Sequence, residues 1–191
     1  IVKVYSESEI KLIFDSIHRQ LDWIEYRDKA IISFMLDSGI RQEEVCLLKA
    51  KNIFCERSRM VVRGKGDKER VVPLGKHSIA LYKKYCSACP HESEMAFVTK
   101  TGSAMKTNTV KLMVSKLDKK LPFEISSHKL RHNFATNYCL DMYYENGKID
   151  IYRLMIIMGH EDISTTRRYL HIANEIIASS ECLSHLDKIF I

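Results

Sequence analysis

Between Ser126 and His171 the chain reads SSHKLRHNFATNYCLDMYYENGKIDIYRLMIIMGHEDISTTRRYLH, with His128, Arg131, His160 and the phenol of Tyr169 toward its two ends. Cationic donors around a phenol suit phosphoryl transfer to tyrosine. Cleaving a phosphodiester without a metal needs three roles filled: neutralising the non-bridging oxygens, attacking, and protonating the leaving alkoxide. A free phenol has a pKa near 10, so forming phenolate at pH 7 costs about 4 kcal/mol. Nearby arginines and histidines can offset that cost. The departing sugar oxygen is more basic than a phenolate and needs a proton from elsewhere.

Upstream segments offer the missing parts. Arg41 follows Gly39 and a single Ile, at the junction of two helical patterns. Glu43 and Glu44 come next, in the first turn of the following helix, where carboxylates suit the helix dipole. A glutamate there can hold the guanidinium as a fixed fork for a phosphate. Lys65 lies in Gly64-Lys65-Gly66-Asp67-Lys68, between the β-branched runs RMVVRG and RVVPL. That pattern predicts a hairpin with Lys65 and Lys68 at its tip and Arg63 and Arg70 on its arms. Flanking glycines let backbone come close to a ligand, and four cations in eight residues suit a DNA-probing finger.

The elements that must position these groups are mostly helical. Ser6 with Glu9 has the form of a capping box, opening a helix with Ile10, Ile13, Phe14 and Ile17 on one face. A second helix is expected from about Trp23 to Asp37, closed by Gly39, and a short third over QEEVCLL. His77–Tyr85 predicts another helix, and Ala96–Thr99 a short strand. Thr107 opens a helix whose outward face carries Lys106, Lys111, Lys116, Lys119 and Lys120, suited to a DNA backbone. Ser127 is expected to cap a helix from His128 to about Tyr143, broken at Glu145-Asn146-Gly147. Ile149–Met158 follows, ended by Gly159, so that His160 emerges at a helix terminus. Tyr169 is assigned to a last short helix. The tail from Asn174 carries Ile177, Leu183, Leu186 and Ile189 as an apolar stripe suited to docking.

Composition bounds the rest. The chain has 191 residues, 46% hydrophobic, with 7 Gly and 3 Pro and a net charge of +6. This predicts an α+β fold, predominantly helical with a small antiparallel sheet, and a charge that favours a polyanion. Six scattered cysteines fit a reduced, cytoplasmic protein better than a disulfide scaffold. Cys86, Cys89 and His91 lack a fourth zinc ligand at suitable spacing. HKLRH has Lys129 where a zinc peptidase needs glutamate, and the acidic residues do not converge as a Mg²⁺ nuclease requires. No metal and no cofactor are therefore expected. No apolar run reaches membrane-spanning length. The first residue is Ile1 rather than Met, which suggests a fragment of something longer.

Taken together, Arg41 in SGIRQEEV, Lys65 in RGKGDKERVVPL, HKLRH at His128–His132, MGH ending at His160, and TTRRYLH around Tyr169 resemble the signature of the tyrosine recombinase (phage integrase) family. The likeness runs from the Ser-Glu-Ser-Glu opening to the nucleophile. It implies that residues 1–191 form the family's catalytic domain, without the usual N-terminal core-binding and arm-binding domains. It also implies a site-specific recombinase or integrase working on double-stranded DNA. Arg41 and Arg131 would clamp the scissile phosphate, Glu44 would buttress Arg41, and His128 would assist proton transfer. His160 would hydrogen-bond the phosphate, Lys65 would protonate the 5′ oxygen, and Tyr169 would form a 3′-phosphotyrosyl link. Arg63, Lys68, Arg70, Lys106 and Lys111 are the candidate DNA contacts. A homo-oligomer on DNA, a tetramer in the synapse built from monomers, is implied, with the tail from residue 173 docking in trans. The alternatives are a type IB topoisomerase, which uses a similar residue set, a catalytically silent DNA-binding module, and a plain helical scaffold.

Overall fold

The computed structural model describes residues 4–180 and 189, with Lys65 described by its backbone alone. Helix α1 (Glu7–Asp15) starts where Ser6 and Glu9 cap each other. Glu9 N–H donates to Ser6 Oγ at 3.2 Å, and Ser6 N–H donates to Glu9 Oε2 at 2.8 Å. Helix α2 (Asp22–Ser38) is the centre of the core. Its Ala30, Ile31, Ile32, Phe34 and Met35 have no exposed surface. A helix apolar over so much of its circumference must be covered from several sides. Gly39 ends α2 in the left-handed region at φ 61°.

After α3 (Gln42–Leu47) come three short antiparallel strands, β1 (Ile53–Phe54), β2 (Arg59–Arg63) and β3 (Glu69–Pro73), in that spatial order. The β2–β3 register sets Met60 opposite Val72 and Val62 opposite Arg70. Strand side chains alternate between faces. Met60, Val62, Val72 and Arg70 thus share the inward face, and Val61 and Val71 the other. Helices α4 (Lys76–Ala88), α5 (Thr107–Asp118), α6 (Ser127–Asn146), α7 (Ile151–Met158) and α8 (Ile163–Ser180) complete the fold. Both α4 and α6 pack on α2, and α8 packs on α6 and α7. No helix among the described residues is long and apolar enough to cross a membrane.

The predominantly helical α+β architecture matches the sequence expectation, with local corrections. The cap of α6 is Ser126, whose Oγ accepts from Lys129 N–H at 3.1 Å, and Ser127 is already helical. Residues 96–99 contribute one isolated bridge, Val98 with Ala104, and β1 supplies the third strand. Tyr169 and the start of the tail lie on one continuous helix, because nothing between Tyr169 and Ser180 breaks α8. Of the tail's apolar stripe, Ile177 is buried against this same chain and Ile189 is exposed. Leu183 and Leu186 lie outside the described residues.

Gly39 is where fold and site meet. A Cβ there would overlap the Phe134 ring of α6, and the left-handed conformation costs a non-glycine residue about 1–2 kcal/mol. Gly39→Ala is expected to lower the unfolding free energy in chemical denaturation by at least about 2 kcal/mol. Unchanged stability would show that α2 and α6 do not meet as described.

Candidate active site

Helix ends leave carbonyls without intrahelical partners, and those at a C-terminus carry the negative end of the helix dipole. Two such ends, of α2 and α7, face each other here, and both are occupied by guanidinium groups. Arg131, on the first turns of α6, donates from Nη1 to the Gly39 carbonyl and from Nη2 to the Met158 carbonyl at 2.6 Å. Arg41 donates from Nη2 to the next carbonyl, Gly159, at 3.1 Å. Arg70 donates from Nε to the Ile157 carbonyl at 2.8 Å. Gly159 is left-handed at φ 62°, and a Cβ there would sit 2.9 Å from Arg70 Nη1, so glycine permits both the turn and the close packing.

One carboxylate serves this cluster. Glu44, 3% exposed, takes Arg70 on both oxygens at 2.6 and 2.8 Å. It also accepts from Arg41 Nη1 at 3.1 Å and from Arg41 N–H at 2.7 Å. Burial works against the charge on Glu44, but the bonds from Arg70 and Arg41 outweigh it and hold the carboxyl below its ordinary range. Burial first, then the charge of Arg41, lowers Arg131 to about 10, so the guanidinium is still charged at neutral pH.

His160 closes the cluster. Arg131 Nη2 lies 3.1 Å from His160 Nε2, and Thr166 Oγ1 lies 2.8 Å from Nδ1. A guanidinium can only donate, so Nε2 accepts and the ring proton sits on Nδ1, facing Thr166. Burial, then Arg131 and Arg41, pushes His160 down to about 4, which keeps the ring neutral. Its ring stacks on Tyr169, with centroids 6.4 Å apart. Tyr169 is 1% exposed, with His132 on another side at 5.3 Å.

Of the residues singled out by sequence, Arg41, Glu44, Arg131, His160 and Tyr169 are therefore brought together. His128 and Arg131, three apart on α6, part company: Arg131 turns into the carbonyl cage, whereas exposed His128 meets His132 through their Nε2 atoms. Desolvation, then Arg168 and Arg131, lowers His128. The backbone of Lys65 lies in the β2–β3 turn, whose Gly64 and Lys68 line the same open cleft as Arg41 and His160, of about 850 Å³. The Lys65 side chain lies outside the described residues. Exposed Arg63 pairs with Asp67 and Glu69, and Lys68 with Glu161, around that cleft. Lys106 and Lys111 are exposed on the α5 side.

Arg70 needs correction as a DNA-contact candidate. Its side chain is 9% exposed and each of its three nitrogens donates inward, to Glu44 or to the Ile157 carbonyl, so it braces the site from within. Three contributors escaped the sequence reading: Thr166, His132 and Arg168. Thr166 lies three residues before Tyr169, one helical turn away. His132 was visible only as the second histidine of HKLRH. Arg168 was visible only as the neighbour of the nucleophile candidate.

A phosphate-sized anion beside Arg41 and Arg131 would meet guanidinium donors held rigid by backbone carbonyls, with a phenol nearby. The chain belongs to the phage integrase family, which it matches over residues 3–175. It is 32% identical over 177 residues, 91% of its own length, to tyrosine recombinase XerA of Pyrococcus horikoshii. It is 32% identical over 162 residues, 80% of its length, to tyrosine recombinase XerD of Shewanella oneidensis. It spans 58% and 51% of those two proteins. Among solved structures, a XerA recombinase superposes with TM-score 0.77 and 27% identity, covering 96% of this chain and 66% of that one. XerH bound to its difH substrate in a post-cleavage complex superposes with TM-score 0.74 at 23% identity, a likeness of fold, covering 93% of this chain and 52% of that one.

Glu44 offers a test with a defined sign. Its folded-state pKa is depressed, so it stabilises the fold above the unfolded value of about 4.3 and loses that contribution as pH falls through and below it. Glu44→Gln leaves buried Arg70 and half-buried Arg41 without their carboxylate. It is expected to cost about 3 kcal/mol at pH 7, with the gap to the parent protein narrowing below about pH 4. A gap independent of pH in denaturant titrations would contradict the pairing.

Proposed function

We propose that this chain is the catalytic part of a site-specific DNA recombinase that breaks and rejoins strands through Tyr169 without a metal ion. The observation that carries the proposal is the anchoring of Arg41 and Arg131 on consecutive carbonyls, Gly159 and Met158, beside a neutral His160 and a stacked phenol. Carbonyl acceptors fix the guanidinium forks without cancelling their charge, which preorganises them for the non-bridging oxygens of a phosphodiester.

In this mechanism Tyr169 attacks phosphorus, the Oη–P bond forms, and the P–O5′ bond breaks. Lys65 delivers the proton that the 5′ oxygen needs. Arg41 and Arg131 hold the phosphoryl oxygens, with Glu44 and Arg70 keeping Arg41 in place. His160 accepts from Arg131 in the resting site and donates to the arriving phosphate once its proton has moved from Nδ1 to Nε2, with Thr166 Oγ1 then donating to Nδ1, and His128 assists proton transfer. A 3′-phosphotyrosyl link stores the bond energy of the broken strand, so a 5′-hydroxyl can attack it and reseal without ATP. Arg63, Lys68, Lys106 and Lys111 contact the DNA backbone. The XerH recombinase of similar fold was solved bound to its difH substrate, and duplex DNA is the substrate we propose for this chain. Recombination pairs several copies on DNA. The protein works in the cytoplasm, where such DNA is found.

Incubating the protein with a nicked suicide substrate carrying its recombination site, then running denaturing electrophoresis, tests the nucleophile. Tyr169→Phe is expected to abolish the covalent protein–DNA adduct while leaving retardation of the uncut DNA in a native gel close to that of the parent protein. An adduct persisting in that variant would reassign the nucleophile.

A further inference from the structure

Arg168 is exposed, precedes the nucleophile on α8, and forms no ion pair with a carboxylate among the described residues. Its Nη2 lies 2.9 Å from Tyr169 Oη, and its Cζ lies 4.9 Å from the centre of the phenol ring. The same Nη2 lies 3.1 Å from both ring nitrogens of His132. An unneutralised cation whose nearest acceptor is a phenol oxygen is placed for the moment when that oxygen becomes negative.

Two further features favour action on the oxygen over a passive contact. Tyr169 is 1% exposed, so substrate reaches Oη only when neighbouring side chains give way. Arg168 and Tyr169 are consecutive on one helix, so their contact travels with α8 through any such shift, whereas the contact with His132, thirty-six positions away, need not. The charge on Arg168 is also felt across the site, since it helps to lower His128, His132 and His160, the last two to about 4.

We propose that Arg168 is a further catalytic residue, donating to the Tyr169 oxygen as it attacks and again as it leaves. The inference rests on the recombinase reading above. In cleavage the Oη–P bond forms, the P–O5′ bond breaks, the phenolic proton passes to the neutral His128–His132 imidazole pair, and Lys65 protonates O5′. In rejoining the 5′-hydroxyl returns its proton to Lys65, the O5′–P bond forms, the P–Oη bond breaks with its electron pair on oxygen, and that oxygen recovers its proton from the same imidazoles. Arg168 keeps its own protons throughout, because a guanidinium does not give them up near neutral pH. It acts by charge and by its N–H alone, and the same donor serves both directions.

The test compares the intact parent protein with Arg168→Met and Arg168→Lys on nicked suicide DNA at saturation. Single-turnover cleavage, rejoining of the isolated adduct with a 5′-hydroxyl strand, site affinity and melting temperature are all measured. Arg168→Met is expected to slow cleavage and rejoining together by about 100-fold. Affinity should change by less than about threefold, and Arg168→Lys should recover about tenfold of the lost rate. Cleavage by Arg168→Met at or above the parent rate would overturn the assignment, making Arg168 a bystander or a restraint. Weaker binding with an unchanged saturated rate would reduce it to a DNA contact and overturn the assignment too. Equal losses in both variants with a lowered melting temperature would make it structural, again overturning it. Absence of any adduct from the parent protein would instead strike the recombinase reading itself, and this inference with it.

Discussion

The whole site depends on two helix C-termini pointing their unpaired carbonyls into the same small volume. Gly39 ends one, and Ile157, Met158 and Gly159 end the other, and three guanidiniums fill the space between them. Buried guanidiniums need acceptors. Had those acceptors been carboxylates, the site would be neutral and of little use to a phosphate. Carbonyls satisfy the N–H groups and leave the positive charge intact, while the negative ends of the helix dipoles offset part of the mutual repulsion. The reduced basicity of Arg131, at about 10, records what burial beside other cations costs it.

The single carboxylate shows the same economy. Glu44 gives both oxygens to the guanidinium of Arg70, which is inward and nearly closed to solvent, and one of the same oxygens to the guanidinium of Arg41, which is not. Arg70 thereby fixes the carboxylate, the carboxylate orients Arg41, and Arg41 keeps an open face toward the cleft. Burial of His160 beside cations works in parallel. It leaves a neutral ring whose Nε2 accepts from Arg131 and whose Nδ1 is tied to Thr166. Stability and site geometry are thus coupled through the same atoms, because whatever loosens the α2 or α7 terminus loosens Arg41 and Arg131.

Much of this was legible in the sequence, because it was written locally. The Ser6–Glu9 capping box, the helix-ending glycines at 39 and 159, and the β2–β3 turn each follow from adjacent residues and came out close to where the structure has them. Arg70 was misread, although the signal was present: it stands two residues before Val72, on the face that strand alternation turns inward. The single helix α8 was split because Tyr169 and the apolar stripe suggested separate jobs, yet no Gly or Pro separates them. What no local pattern could supply is which carbonyl meets which guanidinium. Arg131 and Gly39 are ninety-two positions apart, and Arg41 and Gly159 are a hundred and eighteen apart. Those pairings exist only after α2, α6 and α7 have packed, and the same holds for His132 beside Arg168.

The most direct measurement is a crystal structure of the Tyr169→Phe protein bound to duplex DNA containing its cleavage site. The arrangement described here requires one phosphate with non-bridging oxygens about 3 Å from the guanidiniums of both Arg41 and Arg131, while both arginines keep their bonds to Gly159 and Met158. DNA seated elsewhere, with Arg41 and Arg131 on different phosphates or still turned wholly toward the helix ends, would contradict it.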